Sequence, residues 1–160
     1  MTRALVLYHS LYGNTKTVAT SLASGIEQSG IETDCLSIGE VDINQIKKYD
    51  FLAIGGPTHM IGMSKAMKKF LMELKSVNLQ GMKGFSFDTR VHSRMNKKSW
   101  LMLENSAARR IEGRMKRMNV KIIKPRQSAI VEKGREGPLV QGFEEAFNEI
   151  GKEIEKILSS

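Results

Sequence analysis

The sequence predicts an α/β fold built on a doubly wound parallel sheet, with helices covering both faces. Strand-like and helix-like segments alternate along the chain, which is typical of βαβ units and a parallel sheet. Five strands joined by right-handed crossovers would place helices on the two faces of that sheet. The 160 residues suffice for one domain, and no repeat or low-complexity linker divides residues 1–160.

The first half of the chain is predicted to contain three strands and two long helices. Residues 3–8, which are apolar from Ala4 onwards, are predicted as a buried strand, and residues 15–29 follow as a helix. One face of this helix carries Val18, Leu22 and Ile26. The remaining elements are an edge strand at 32–38, a short helix at 43–49, a buried strand at 50–55 and a helix at 64–74. The inward residues of the helix at 64–74 are Met67, Phe70, Leu71 and Leu74.

The second half is predicted to begin with a third central strand at 83–88 and a long loop at 89–104. A strongly basic helix at 105–118 follows, and its inner stripe comprises Ala108, Ile111, Met115 and Met118. The last strand is predicted in two pieces, 120–123 and 128–131, because Pro125 interrupts it. An amphipathic helix at 139–158 closes the domain, with the inward residues Phe143, Phe147, Ile150, Ile154 and Ile157.

Three loops should lie side by side at the carboxyl edge of the sheet, where such folds bind ligands: 9–15, 55–63 and 88–104. In the first loop, an apolar strand leads through a short polar turn into a helix, whose N–H groups and dipole favour a phosphate monoester. The turn contains neither G-x-x-x-x-G-K-S/T nor G-x-G-x-x-G. The phosphate would therefore be bound by Ser10, Thr15, Asn14 and the backbone around Gly13. The alternative is an ordinary turn followed by a helix N-cap.

The charge of the chain is strongly basic and uneven. The net charge is +8, and residues 83–135 carry fifteen Lys or Arg against four Asp or Glu. This pattern indicates a solvated basic face, an acidic protein partner or a polyanion such as nucleic acid. Cys35 is the only cysteine, which excludes an internal disulfide or cysteine metal cluster and favours a reducing cytoplasm. No apolar run is long enough for a membrane span, and we expect no signal peptide.

The polar turn after the first strand resembles that of a known family. Ser10-Leu11-Tyr12-Gly13-Asn14-Thr15 is similar to the Ser/Thr-x-Ser/Thr-Gly-Asn-Thr phosphate loop of flavodoxin-like proteins. It departs at Tyr12, since tyrosine at this position is known in the quinone-reductase branch and in flavodoxin-domain proteins of unassigned role. Further similar segments lie at 55–64, 87–91, 105–108 and 131–139, so the resemblance covers nearly the whole chain. It implies a flavodoxin-like three-layer sandwich with strand order 2-1-3-4-5 and non-covalently bound FMN as the cofactor.

The resemblance also assigns residues to this cofactor. The first loop would bind the FMN phosphate, and the second would form one wall of the flavin site. The predicted cofactor-binding residues are Ser10, Leu11, Tyr12, Gly13, Asn14, Thr15, Pro57, Thr58, His59, Met60, Gly62, Asp88, Thr89 and Arg90. His59 or Met60 could pack on the flavin ring, or His59 could cap a turn while Met60 fills the core. No catalytic residue and no metal ligand is predicted.

The third loop departs from flavodoxins because it contains no tyrosine to cover the outer flavin face. Trp100 is its only large aromatic residue. The outer face is then open, covered by Trp100 or covered by a second subunit, unless Trp100 merely plugs the core beneath the loop. The charge of Arg90 would favour the anionic reduced flavin and make its potential less negative than in acidic flavodoxins. Pairing of Arg90 with Asp88 would cancel that effect.

Three functions are compatible with these features. The leading hypothesis is a cytoplasmic FMN-binding carrier that moves one electron at a time. Its basic rim would steer an acidic partner, such as a ferredoxin-like protein or a reductase. The alternative is an NAD(P)H-dependent FMN oxidoreductase of the quinone-reductase type, which Tyr12 and an open flavin face would suit. A third hypothesis is a flavin-free module that binds nucleic acid. No base-reading motif and few surface aromatic residues in the sequence support it. A homodimer is compatible with the sequence.

Overall fold

The computed structural model describes residues 1–59, 62–91, 106–132, 134 and 136–160. Within these ranges, parallel pairing joins six strands into one sheet: β1 (Arg3–Tyr8), β2 (Glu32–Ser37), β3 (Phe51–Pro57), β4 (Lys83–Val91), β5 (Lys121–Ile122) and β6 (Gln127–Val131). The order across the sheet is β2-β1-β3-β4-β5, and β6 also pairs with β4. The predicted fold class and strand order are confirmed.

Helices cover both faces of this sheet in the described part of the chain. They are α1 (Asn14–Glu27), α2 (Lys65–Leu74), α3 (Ala107–Arg117) and α4 (Phe143–Ser159), with a short 3-10 helix at Ile43–Lys48. Successive side chains of β1 point to opposite faces, so Val6 and Leu7 enter different cores. Val6 packs with α1 and α4, whereas Leu7 packs with α2 and α3. The predicted three layers are therefore present.

The last position in the sheet is filled by two short strands. β5 pairs with Lys83 and Gly84 at the start of β4, and β6 pairs with residues 87–91 at its end. Pro125 lies between β5 and β6, where the sequence predicted the interruption. The described sheet consequently has six strands instead of the predicted five, because one interrupted strand becomes two.

The boundary of β4 differs from the prediction. The strand continues to Val91, so residues 89–91 extend it instead of opening a loop. They do so because Thr89 pairs with Pro57 of β3 and Val91 pairs with Val131 of β6. The remainder of the predicted loop, including Trp100, lies outside the described residues.

The C-terminal helix also differs from the prediction. It begins at Phe143 and not at residue 139, because Gly142 caps it with a φ of 100°. The preceding segment instead bonds to β6, where the Val140 N–H donates to the Ile130 carbonyl over 2.8 Å. The predicted inward position of Ile157 is wrong, since 37% of this residue is exposed. The stripe continues from Ile154 to Leu158, which packs against the core.

Candidate functional site

The carboxyl edge of the sheet forms a cleft over the ends of β1, β3, β4 and β6. Its described lining combines hydroxyl, amide and apolar groups: Ser10, Leu11, Tyr12, Asn14, Thr15, Pro57, Thr58, His59, Thr89, Arg90, Val91 and Val131. The structure thus brings ten of the fourteen predicted residues together. Gly13, Gly62 and Asp88 lie around the cleft without lining it, and Met60 is outside the described residues.

The turn between β1 and α1 forms one end of the cleft. Its Ser10 hydroxyl accepts a hydrogen bond from the Gly13 N–H over 3.0 Å, which folds the turn back on itself. Gly13 is the N-cap of α1, with a φ of 94°, and provides no side-chain acceptor to the first helical turn. Because helix N-termini carry unsatisfied N–H groups and the positive end of the dipole, this end of the cleft suits an anion.

A pair of threonines joins this turn to the centre of the sheet. The hydroxyl oxygens of Thr15 and Thr89 are 2.8 Å apart, and both residues are almost fully buried. Thr15 belongs to the first turn of α1 and Thr89 to the end of β4. The hydrogen bond therefore fixes α1 relative to the sheet at the point where both residues line the cleft.

A buried network supports the loop after β3. The Thr58 hydroxyl donates to the Asp88 carboxylate over 2.8 Å and accepts from the Ala107 N–H over 3.0 Å. Asp88 also accepts from the Ala108 N–H over 3.1 Å, so its charge lies at the N-terminus of α3. Three elements, β3, β4 and α3, are thereby held together behind the cleft wall. The side chain of Asp88 serves this network and is 0% exposed.

Asp88 and Arg90 form an ion pair beside the cleft. The Arg90 Nε atom is 3.9 Å from the Asp88 Oδ2 atom, and only 6% of Arg90 is exposed. Burial raises the pKa of Asp88, while its hydrogen bonds and the nearby guanidinium act in the opposite direction. This geometry corresponds to the sequence-based alternative in which Arg90 pairs with Asp88. Arg90 carries the single guanidinium in the described lining, and the Asp88 carboxylate lies next to it.

The loop after β3 closes in a tight turn. The His59 N–H donates to the Gly62 carbonyl over 2.9 Å, and Thr58 forms an antiparallel bridge with Met63. Gly62 has a φ of 95°, and a Cβ atom placed there would lie 2.7 Å from the Arg110 Nε atom of α3. The backbone conformation therefore favours glycine at this position, and a larger residue would also have to displace the Arg110 side chain.

Sequence reasoning missed several residues at this edge of the sheet. Val91 and Val131 line the cleft but carry no chemical signal, and only their register on neighbouring strands reveals them. His9 follows β1, and its Nδ1 atom is 2.8 Å from the hydroxyl of Ser64, the N-cap of α2. Burial lowers the pKa of His9. Gly137 approaches the phosphate turn so closely that a Cβ there would lie 2.8 Å from the Asn14 side chain.

The donor set of this cleft fits FMN. Hydroxyl, amide and helix N-terminal N–H groups lie at one end, as a phosphate requires. Leu11, Tyr12 and Pro57 supply apolar surface on which a flat aromatic ring can lie, together with the two valines. Among the described lining residues there is no carboxylate to repel a phosphate dianion. The residues present thus match both parts of the cofactor.

Comparisons with known proteins agree with this fit. The flavodoxin family model matches residues 6–150. A probable flavodoxin of Bacillus subtilis (strain 168) is 30% identical over 88 residues, which cover 54% of this chain and 56% of that protein. An NAD(P)H dehydrogenase (quinone) of Paracoccus denitrificans is 29% identical over 91 residues, covering 44% of each. The chain thus spans about half the length of the curated relatives it matches.

Comparison of three-dimensional structures finds the same fold over nearly the whole chain. The solved structure of a flavodoxin from the domain Archaea has a TM-score of 0.78 at 22% identity, covering 99% of both chains. None of the helices in the described part of the chain combines the length and apolar character of a bilayer span. Since the family model covers most of the 160 residues, the chain belongs to the flavodoxin family, whose cofactor is FMN.

Proposed function

We propose that this protein is an electron carrier that passes one electron at a time through FMN bound in the cleft. The observation that carries the proposal is that ten predicted residues line one cleft at the carboxyl edge of the sheet. They come from the start of α1 and from the ends of β1, β3 and β4, which lie side by side in the sheet. When bound, FMN supplies the redox chemistry, and the chain supplies placement and electrostatics.

The phosphate end of the site is assigned to the turn between β1 and α1. Ser10 and Thr15 present hydroxyl groups, and the first turn of α1 presents N–H groups that can donate to phosphate oxygens. The Thr15–Thr89 hydrogen bond holds one of these hydroxyls in place before any ligand arrives. This preorganisation reduces the ordering cost of binding.

The ring end of the site is assigned to the apolar residues and to the loop after β3. Pro57 and Thr58 line the cleft directly, while the Thr58 hydroxyl is held by Asp88 and by the N-terminus of α3. The loop therefore rests on a buried network instead of on solvent. Such support limits the movement of the wall and helps to exclude water from the ring.

A spectrum of the purified protein tests the proposal most directly. We expect a yellow holoprotein, or a colourless one that takes up FMN with a one-to-one stoichiometry. Stepwise photoreduction should resolve two separate one-electron steps. A preparation that stays colourless after incubation with FMN would overturn the assignment of the cleft, and reduction in one unresolved two-electron step would overturn the carrier function.

The second candidate function is an NAD(P)H-dependent quinone reductase. Two observations favour it: the likeness to the Paracoccus denitrificans enzyme, and Tyr12, which lines the cleft and is 52% exposed. Steady oxidation of NADPH by the pure holoprotein in the presence of a quinone would support this enzyme. Absence of such turnover, together with two resolved reduction steps, would support the carrier.

The proposed partner of the carrier is an acidic redox protein, such as a ferredoxin-like protein or a reductase. The net charge of +8 supports this proposal, because opposite charges accelerate the encounter of two proteins. The single cysteine, Cys35, supports a cytoplasmic location. A homodimer also remains a proposal, and sedimentation of the holoprotein would test it.

A further inference from the structure

The two helical layers of this protein carry opposite charge. α2 and α3 together contain eight Lys or Arg and two Glu, whereas α1 and α4 contain three Lys and six Glu. The basic residues of α2 and α3 are Lys65, Lys68, Lys69, Arg109, Arg110, Arg114, Lys116 and Arg117. We call the outer surface of these two helices the basic face. The sheet separates it from the acidic layer, so the field of the molecule is directional.

Glu73 and Glu112, the two acidic residues of α2 and α3, reduce the positive field of the basic face only slightly. Glu112 of α3 is buried and lies 3.3 Å from the Lys116 ammonium and 3.1 Å from the Arg126 guanidinium. Its charge is therefore matched within the protein by two cations. Glu73 is the one exposed acid among the residues of α2 and α3. Lys65, Lys68, Lys69 and Arg117 are exposed on these helices, so an excess of positive charge remains at the surface of both.

The basic face begins at the cleft. Ser64, the N-cap of α2, contacts His9, the residue that follows β1 in the sequence. The first two N–H groups of α3 donate hydrogen bonds to Thr58 and Asp88. From there the helices run for roughly 15 Å each, and two packed helices cover a width of about 20 Å. A surface of this size corresponds to the small interfaces of transient electron-transfer complexes.

The face also carries apolar groups among its charges. Met72 is 56% exposed at the surface of α2, where the Arg114 guanidinium lies 3.9 Å from its sulfur. Towards the far ends of the helices, a groove is lined by half-buried Met118 and by Leu71 and Leu79, which are themselves almost fully buried. Phe70 is the only aromatic residue in α2 and α3, and it is buried. Without exposed aromatics the face lacks the stacking platform of single-strand binders.

We propose that the basic face is the docking surface for an acidic protein partner, and this inference rests on the proposed carrier function. Long-range attraction would come from the excess Lys and Arg, and exposed Met72 would contact apolar atoms of the partner. Since both helices start at the cleft, a partner held on this face near Lys65 lies beside the proposed FMN site. A protein surface suits this mixture better than a nucleic acid, which offers phosphates and bases but few apolar side chains.

The test uses the intact holoprotein and a defined probe. A small acidic ferredoxin in its oxidised form is titrated into isotope-labelled holoprotein at low ionic strength, and amide shifts are followed by NMR. We expect shifts concentrated in α2 and α3 and a binding constant that falls steeply with salt. The charge-reversed variant Lys68→Glu/Lys69→Glu should weaken binding at least tenfold.

A matched control has the same change in net charge on the opposite layer. Lys152→Glu/Lys156→Glu alters two exposed or half-buried lysines of α4, and we expect less than a twofold change in affinity. Equal weakening by both variants would show that net charge alone matters and would overturn the docking surface. Shifts confined to α1 and α4, or no binding at low ionic strength, would also overturn it.

Two further probes separate the partner classes. Single-stranded oligonucleotides and vesicles of anionic lipid are titrated under the same conditions. Tighter binding of either one than of the ferredoxin would replace the acidic protein by that polyanion or membrane surface and contradict the inference. Because docking is measured by amide shifts, it does not depend on electron transfer. Failure of the carrier function would appear separately, in the absorbance and photoreduction of the holoprotein before titration.

Discussion

Gly62 offers a sharp test of the loop after β3. Its φ of 95° lies in the region that L side chains rarely adopt, and a Cβ there would lie 2.7 Å from the Arg110 Nε atom. Gly62→Ala should therefore strain the turn that the His59 N–H and the Gly62 carbonyl close over 2.9 Å. The strain is relieved when the turn opens, and FMN binding must then close it again.

The magnitude follows from the backbone and from a matched control. Placing alanine at a positive φ costs about 1–2 kcal/mol, which corresponds to a rise of roughly five- to thirtyfold in the Kd for FMN. Gly81 provides the control, since its φ is 89° but nothing lies within 4 Å of an added Cβ. Gly81→Ala carries similar backbone strain in a turn that precedes the opposite end of β4. It should lower the unfolding free energy without weakening FMN binding.

The assay is a titration of FMN with each apoprotein, followed by the loss of flavin fluorescence, alongside urea unfolding of the same samples. Gly62→Ala should raise the Kd, and both variants should lower the urea midpoint. An unchanged Kd for Gly62→Ala, or an equal rise for both glycine variants, would refute the assignment of the 57–62 loop to the flavin wall.

Three further predictions concern single side chains. Thr15→Val should raise the Kd for FMN about fivefold, because one hydrogen bond contributes about 1 kcal/mol. Thr15→Ser should restore binding in the same titration. Burial lowers the pKa of His9, so the unfolded chain binds its proton more readily and the unfolding free energy should fall as the pH decreases below about 6.5. His9→Gln should reduce that fall in urea unfolding, and an unchanged pH slope would contradict it. Asp88→Asn should make the potential of the second electron less negative by removing the carboxylate beside Arg90. A redox titration with no shift would count against this.

The sequence predicted the fold because two central strands, β1 and β3, are almost wholly apolar. Residues such as Leu7 and Ile54 are 0% exposed, and only a sheet covered on both faces buries so many consecutive apolar side chains. The end of β4 was missed for the opposite reason. Thr89 and Arg90 have the polarity of a loop, yet each is at most 6% exposed. Their hydrogen bonds and ion pair satisfy them inside the sheet, and no local pattern signals such partners.

The parts of the candidate site that are formed by local sequence motifs could be predicted. The family and the FMN cofactor are confirmed by the match over residues 6–150. The assignment of the turn before α1 to the phosphate rests on local chemistry at the start of that helix and stays a prediction. Contacts between distant segments could not be predicted. His9 contacts Ser64, which lies 55 residues further along the chain, and Thr15 contacts Thr89, which lies 74 residues further along. Such pairs become neighbours only through the strand order, so the sequence identifies the groups but not their partners.

The strong positive charge of this chain bears differently on the two parts of its proposed function. The Debye length at physiological ionic strength is about 8 Å, so exposed cations are largely screened beyond that distance. Lys68 and Lys69 on the outside of α2 therefore influence the approach of a partner far more than the flavin. Arg90 is buried and escapes such screening, but Asp88 lies 3.9 Å from it. The basic composition should consequently set the rate of encounter, while this single buried ion pair adjusts the potential.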